Sequence, residues 1–270
     1  MSGSKNRIIS AVFGIPLIIA ILVFGNIYVV DFAFAILAAI ALHEFLKCFE
    51  GKVKPVIWIG YFAAAFIAGM HLLPHIDTLD FVGMFFLLMI ILLFIEVLKS
   101  KMKTNIVDIS VTFFGICYIV FFLMFLPLIR GFENGQYLIW FVFAAAWGTD
   151  IFAYVVGMTL GKHKFSVISP KKSLEGCIGG VLGSILLTLL FTYGFNTFAN
   201  LELSYLAMTG IAIVLSMIGQ IGDFAASSIK RYVGIKDFSN LIPGHGGMLD
   251  RFDSVILIAP VAYFLLMFIA

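Results

Sequence analysis

Apolar runs of roughly twenty residues, cut apart by short polar punctuation, fill the chain at 8–24, 27–47, 56–73, 80–98, 106–129, 136–160, 176–198, 204–229 and 252–270. About 20 mostly apolar residues take an α-helix across a bilayer, so the pattern predicts nine membrane helices. The alternating apolar and polar segments of about ten residues that mark a membrane β-barrel are missing. Lipid offers no partner to an unpaired backbone group, so each run has to bond internally, as a helix. The breaks near Gly25 and Asn200 are the shortest and the least marked. No internal repeat, low-complexity tract or soluble domain interrupts the series. The expected fold is an all-α polytopic integral membrane protein with a single transmembrane domain spanning 1–270.

Composition narrows the classes. Of the 270 residues 62% are hydrophobic and 12% charged, and the mean hydropathy is +1.12. Soluble domains carry about 25% charged residues, which excludes a soluble enzyme, a disordered chain and a disulfide-stapled secreted module. Cys48, Cys117 and Cys177 are scattered and form no CxxC pair, so they read as small apolar filler rather than a zinc or disulfide framework. The first apolar run is longer than the 7–15 residues of a signal-peptide core, and no A-x-A-like site follows it. It is therefore expected to remain in the membrane.

Charge adds orientation. Of the 17 Lys and Arg residues, 16 fall in the N-terminus and the even-numbered loops, and Arg130 alone lies opposite. The positive-inside rule makes the crowded side cytoplasmic, with the N-terminus inside and the C-terminus on the other side. The longest hydrophilic pieces, the sixth and eighth loops, are on that side, and the chemistry is sought there. Residues 1–135 then read mainly as scaffold and 136–270 as the helices and loops that carry the site.

Carboxylates within apolar helices are expensive and are functional candidates by default. Glu44, Asp150 and Asp223 qualify, while Asp31 and Asp108 sit nearer span ends and read as interfacial caps. Glu44 reads equally well as a functional acid or as a buried residue that locks helices together. Asp223 and Ser227 are four residues apart and share a helix face, which Lys230 and Arg231 continue toward the surface. Gly244, Gly246 and Gly247 leave Pro243–Gly247 without bulk, so backbone N–H groups could approach an anion. The ninth helix starts just after, and helix N-termini attract phosphate. Asp250 and Asp253 lie one turn apart there, beside His245 and Arg251. Carboxylates opposite a phosphate-binding loop suit Mg²⁺, which shares its shell with substrate phosphates. Ser169–Gly176, S-P-K-K-S-L-E-G, offers Lys171, Lys172 and Ser173 to a polyphosphate, although positive-inside charge with Ser173 as a helix cap accounts for it equally well. Gly176, Gly179, Gly180 and Gly183 follow at a spacing that suits close helix packing.

The stretch from Ser227 to Asp253 resembles the signature of the phosphatidate cytidylyltransferases, or CDP-diacylglycerol synthases. Its anchors are Ser227, Lys230, Arg231, Lys236, Asp237, Pro243, His245, Gly246, Gly247, Asp250, Arg251 and Asp253. The runs Thr149–Gly157 and Ser169–Gly176 also resemble family segments, and Glu44 matches an acidic position in the family's second helix. One departure stands out: where the family commonly has Glu in the turn after the Asp of the eighth helix, this chain has Ala226. Either that Glu is dispensable or another acid, such as Asp150, takes its load.

The resemblance implies the reaction CTP + phosphatidate → CDP-diacylglycerol + pyrophosphate in phospholipid biosynthesis, catalysed at the cytoplasmic face of the inner membrane. It assigns the metal, Mg²⁺ with room for a second ion, to Asp223, Asp250 and Asp253, with Asp150 as a further candidate. CTP would be held by Lys171, Lys172, Ser173, Ser227, His245, Gly246 and Gly247. Lys230, Arg231 and Arg251 would meet the phosphatidate headgroup or the triphosphate. The partners implied are CTP, phosphatidate and the bilayer, with a homodimer as the assembly suited to glycine-rich faces, and not nucleic acid. A secondary transporter is the competing class, but it would place broken helices near the midplane, whereas these charges gather at one boundary. A CDP-alcohol phosphatidyltransferase would carry D-G-x-x-A-R, which does not occur here. An ether-lipid phosphate is the alternative acceptor.

Overall fold

A computed structural model describes residues 16–72, 78–166, 168–242, 244 and 246–269. Among the described residues all regular structure is helical, and the only β-type pairings are isolated bridges. Residues 16–24 are helical. They are followed by α1 (Ile27–Cys48), α2 (Ile57–Ala68), α3 (Thr78–Lys99), α4 (Ile106–Gly115), α5 (Phe125–Arg130), α6 (Gly135–Thr159), α7 (Leu174–Phe198), α8 (Tyr205–Val233) and α9 (Leu249–Leu266). The start of the first apolar run, with Lys5 and Arg7, lies outside the described residues, as do Pro243 and His245.

Among the described residues six segments are long and apolar enough to cross a membrane: Ile27–Cys48, Asp80–Lys99, Ile106–Arg130, Gly135–Thr159, Leu174–Phe198 and Tyr205–Val233. Large apolar side chains stand exposed along them, among them Leu98 at 75% and Leu206 at 84%. Such a surface suits lipid and not water. The protein is an integral membrane protein built of helices. Three of the nine predicted runs are not in that set, the first of them being described only from residue 16. The 12-residue α2 stops at Gly69 and passes into a short 3₁₀ turn, Met70–Leu72. The 18-residue α9 begins with Asp250, Arg251 and Asp253 and contains Pro260.

Local chemistry explains the weakly marked breaks. Asn26 Oδ1 accepts the Val29 N–H at 2.9 Å and caps α1. Near Asn200, the Asn196 side chain bonds both backbone groups of Leu203 at 2.9 Å, and Ser204 caps α8. The run 106–129 is not one regular helix. A capping box between Asn105 and Asp108 starts α4, and a π-turn at Ile116–Phe121 interrupts the ladder before α5. Asp108 is thus a cap, as predicted. Asp31 is not: it is fully buried, and its Oδ2 lies 2.8 Å from His71 Nδ1.

The chain divides into two compact units, Met1–Pro127 with Ile235–Arg251, and Leu128–Gly234 with Phe252–Ala270. In the N-terminal unit α1 packs on α2 and on the π-turn, and α3 packs on α2 and α4. In the C-terminal unit α6 and α7 form the most extensive pair, and α8 packs on both. The glycine stripe makes that pair: a Cβ at Gly148 would lie 2.6 Å from Gly183 O, and one at Gly176 3.2 Å from Gly157 Cα. These glycines are therefore used inside the chain, helix against helix. Gly148→Ala is expected to cost about 1–3 kcal/mol, since backbone would have to move. Gly194→Ala, with nothing within 4 Å of the added carbon, is expected to leave the melting temperature in detergent unchanged or raised. Equal melting of the two variants would contradict the packing account.

Candidate active site

In the C-terminal unit, two glycines let α8 and α9 touch. A Cβ at Gly219 would lie 2.8 Å from Ile258 Cδ1, and one at Gly222 would lie 2.7 Å from Asp253 O. This approach brings Asp253 within electrostatic reach of Asp223 and Lys230 on α8 and of Asp150 on α6. Ser227 Oγ donates to Asp223 Oδ1 at 3.4 Å, the contact that spacing by four on one face predicts. Lys172, two residues before α7, reaches the same carboxylate: its Nζ is 2.5 Å from Asp223 Oδ2 and 3.8 Å from the centre of the Phe224 ring. The contact with Asp223 is a close ion pair whose angles are not those of a hydrogen bond. The two side chains are 23% and 31% exposed, but the Lys172 Nζ itself is buried.

The neighbouring loop is held by its own side chains. Ser173 is 3% exposed, and its Oγ accepts the Gly176 N–H at 3.1 Å, so the hydroxyl offered to a polyphosphate caps α7. Glu175 accepts the backbone N–H groups of Lys162 and His163 and lies 2.5 Å from His163 Nδ1. Lys171 and Arg231 are exposed. Ala226, where the resemblance leads one to expect Glu, is fully buried.

The other predicted residues belong to the N-terminal unit. Asp250 is 8% exposed, and its Oδ2 accepts the N–H groups of Phe238 at 2.8 Å and Gly247 at 2.9 Å. Glu44 is 4% exposed and accepts from Ser239, Met248 and Leu249. The backbone donor of Gly247, predicted to face a substrate anion, thus bonds Asp250, and those of Met248 and Leu249 just after it bond Glu44. The glycines follow suit. Gly244 and Gly246 have φ of 81° and 85°, a region that disfavours other residues, and a Cβ at Gly247 would lie 2.5 Å from Glu44 Oε2. Beside this segment, Phe238, Ser239 and Leu241 line a cleft of about 450 Å³ together with Ala39, Ile40, His43, Glu44 and Lys47 of α1 and Tyr61 of α2. Tyr61 Oη and His43 Nδ1 are 2.7 Å apart across it.

The predicted acids are therefore divided, with Asp150, Asp223 and Asp253 in the C-terminal unit and Asp250, beside Arg251, in the N-terminal one. Among the described residues no three His, Cys, Asp or Glu side chains form a ready-made metal cage. Two partnerships had no signal in the sequence: Lys172 with Asp223, and Glu44 with a segment about 200 residues later.

Comparison with known proteins gives a consistent result. Residues 5–269 match the Cytidylyltransferase family. A phosphatidate cytidylyltransferase of Staphylococcus aureus (strain COL) is 32% identical over 267 residues, covering 97% of this chain and 98% of the relative. One from Staphylococcus epidermidis (strain ATCC 12228 / FDA PCI 1200) is 33% identical over 268 residues, with the same coverage. One from Staphylococcus haemolyticus (strain JCSC1435) is 32% identical over 270 residues. With the match running through both units and the whole signature segment, the chain belongs to the cytidylyltransferase family.

Proposed function

We propose that this nucleotidyltransferase is a phosphatidate cytidylyltransferase. A phosphate oxygen of phosphatidate attacks the α-phosphorus of CTP, the bond to the β-phosphate bridging oxygen breaks, and pyrophosphate leaves with CDP-diacylglycerol as the product. The observation that carries the reading is the Lys172–Asp223 pair beside Asp253, Asp150 and Lys230 in a chain that belongs to this family. The nucleophile is already anionic, so no strong base is needed. The task is to bring two polyanions together and stabilise the leaving charge.

Lys171 and Lys172 meet the CTP phosphates in this reading. Lys230 and Arg231 meet the lipid phosphate or the triphosphate, and the acyl chains approach sideways from the bilayer. Asp223, Asp253 and Asp150 are hard oxygen donors that fit Mg²⁺, which takes one or two carboxylates together with substrate phosphates rather than a closed protein cage. When bound, the ion supplies charge neutralisation at the transferred and leaving phosphates. Asp250, engaged by two backbone N–H groups, orders its segment. The distribution of cations supports nine crossings with the site and the N-terminus on the cytoplasmic side, and in this reading the membrane is the inner one.

The test is pyrophosphate release by detergent-purified protein given CTP, phosphatidate and Mg²⁺, each omitted in turn. Release is expected only with all three, is abolished by a chelator and returns with excess Mg²⁺. Folded protein that releases none with either an ester-linked or an ether-linked lipid phosphate would remove the proposal.

A further inference from the structure

We infer that Glu44 is a positioning residue for cytidylyl transfer, the clamp that gives the signature segment and the start of α9 their working shape. The inference rests on the function just proposed. Glu44 lies in the apolar helix α1 and is 4% exposed. Its Oε1 accepts the Ser239 hydroxyl at 2.6 Å and the Met248 N–H at 2.9 Å, and its Oε2 accepts the Leu249 N–H at 2.8 Å. A buried carboxylate is costly unless hydrogen-bonded. A helix start, with N–H groups lacking intrahelical partners and a positive dipole end, compensates it.

The two sides of the contact fit each other closely. The atoms nearest a Cβ at Gly247 would all belong to the Glu44 carboxylate, at 2.5, 2.8 and 2.9 Å, so glycine at 247 is the counterpart of glutamate at 44. Asp250 secures the same segment from within through Phe238 and Gly247. With Gly247, Met248 and Leu249 bonded internally, this helix start leaves the substrate phosphates to side-chain cations. Glu44 therefore acts through the segment it holds and not by touching the reacting atoms.

The experiment compares Glu44→Gln, Glu44→Asp, Ser239→Ala and Thr112→Val, with kcat and KM for CTP measured well below every melting temperature. Glutamine sets an NH₂ donor against backbone donors. Glu44→Gln is expected to raise the KM for CTP or lower kcat by about tenfold or more, and Ser239→Ala to shift them the same way by a few-fold. Glu44→Asp, which keeps the charge, is expected to recover part of the loss. Thr112 accepts the buried Val56 N–H at 2.9 Å in the same unit. Thr112→Val is expected to lower the melting temperature while leaving both constants within about twofold. Parent-like constants in Glu44→Gln would overturn the inference, as would equal shifts in Thr112→Val. If the parent itself is inactive, the functional reading fails, and hydrogen exchange decides the clamp. Lost protection at Met248 and Leu249 in Glu44→Gln supports it, and parent-like protection overturns it.

Discussion

Asp223→Asn is expected to leave less than a tenth of the parent's pyrophosphate release in a protein that still folds. The carboxylate is the hub of the C-terminal site: Lys172 pairs with one oxygen, Ser227 donates to the other, and Asp253 lies within its electrostatic reach. An amide keeps the shape but loses the charge that would bind a hard cation and that holds Lys172. A loss of about 100-fold corresponds to roughly 2.7 kcal/mol of transition-state stabilisation, in keeping with one electrostatic contact on a transferring phosphoryl group. The stability cost should be moderate, about 1–3 kcal/mol, because the side chains are partly exposed but the Lys172 Nζ itself is buried and would lose its ionic partner. Steady-state release at saturating CTP, alongside thermal melting, separates the two effects. More than a tenth of the activity in a folded variant would exclude Asp223 as an essential ligand.

Gly222→Ala is expected to inactivate the enzyme by a different route. Its new carbon would lie 2.7 Å from Asp253 O and 3.1 Å from Ser254 Cα. Both obstacles are backbone, so α9 would have to shift relative to α8, and Asp253 would move away from Asp223. A misplacement of about 1 Å can cost about 100-fold in rate, whereas the overpacking itself costs about 1–3 kcal/mol. Gly210, on the same helix, has nothing within 4 Å of the added carbon, and Gly210→Ala should retain full activity. Activity in Gly222→Ala equal to that of Gly210→Ala would show that the approach of these helices does not matter to the reaction.

Much of this molecule was legible in its sequence because membrane helices are written in a local code of apolar length. The acids of the proposed site were also visible as candidates, since a carboxylate in an apolar run has few bland explanations. What could not be read was who meets whom. The glycines before α9 looked like room for a substrate anion, and around Gly247 that room is filled by Glu44, a residue about 200 positions earlier. Lys172 and Asp223 were each assigned to a ligand, and nothing in their spacing indicated that they pair with each other. The shortness of α2 and the π-turn after α4 likewise depend on local backbone bonding, which hydropathy does not encode.

The Glu44 clamp also bears on the birth of the protein. Its partners, Ser239, Met248 and Leu249, follow it by 195 to 205 residues. At about 5–20 residues per second, a ribosome needs roughly 10–40 s to deliver them. During that interval α1 sits in or against the membrane with its carboxylate unsatisfied by the groups that later bond it. The signature segment cannot take its final shape until nearly the whole chain has been made, so a nascent chain halted before residue 249 is a collection of helices without a transferase.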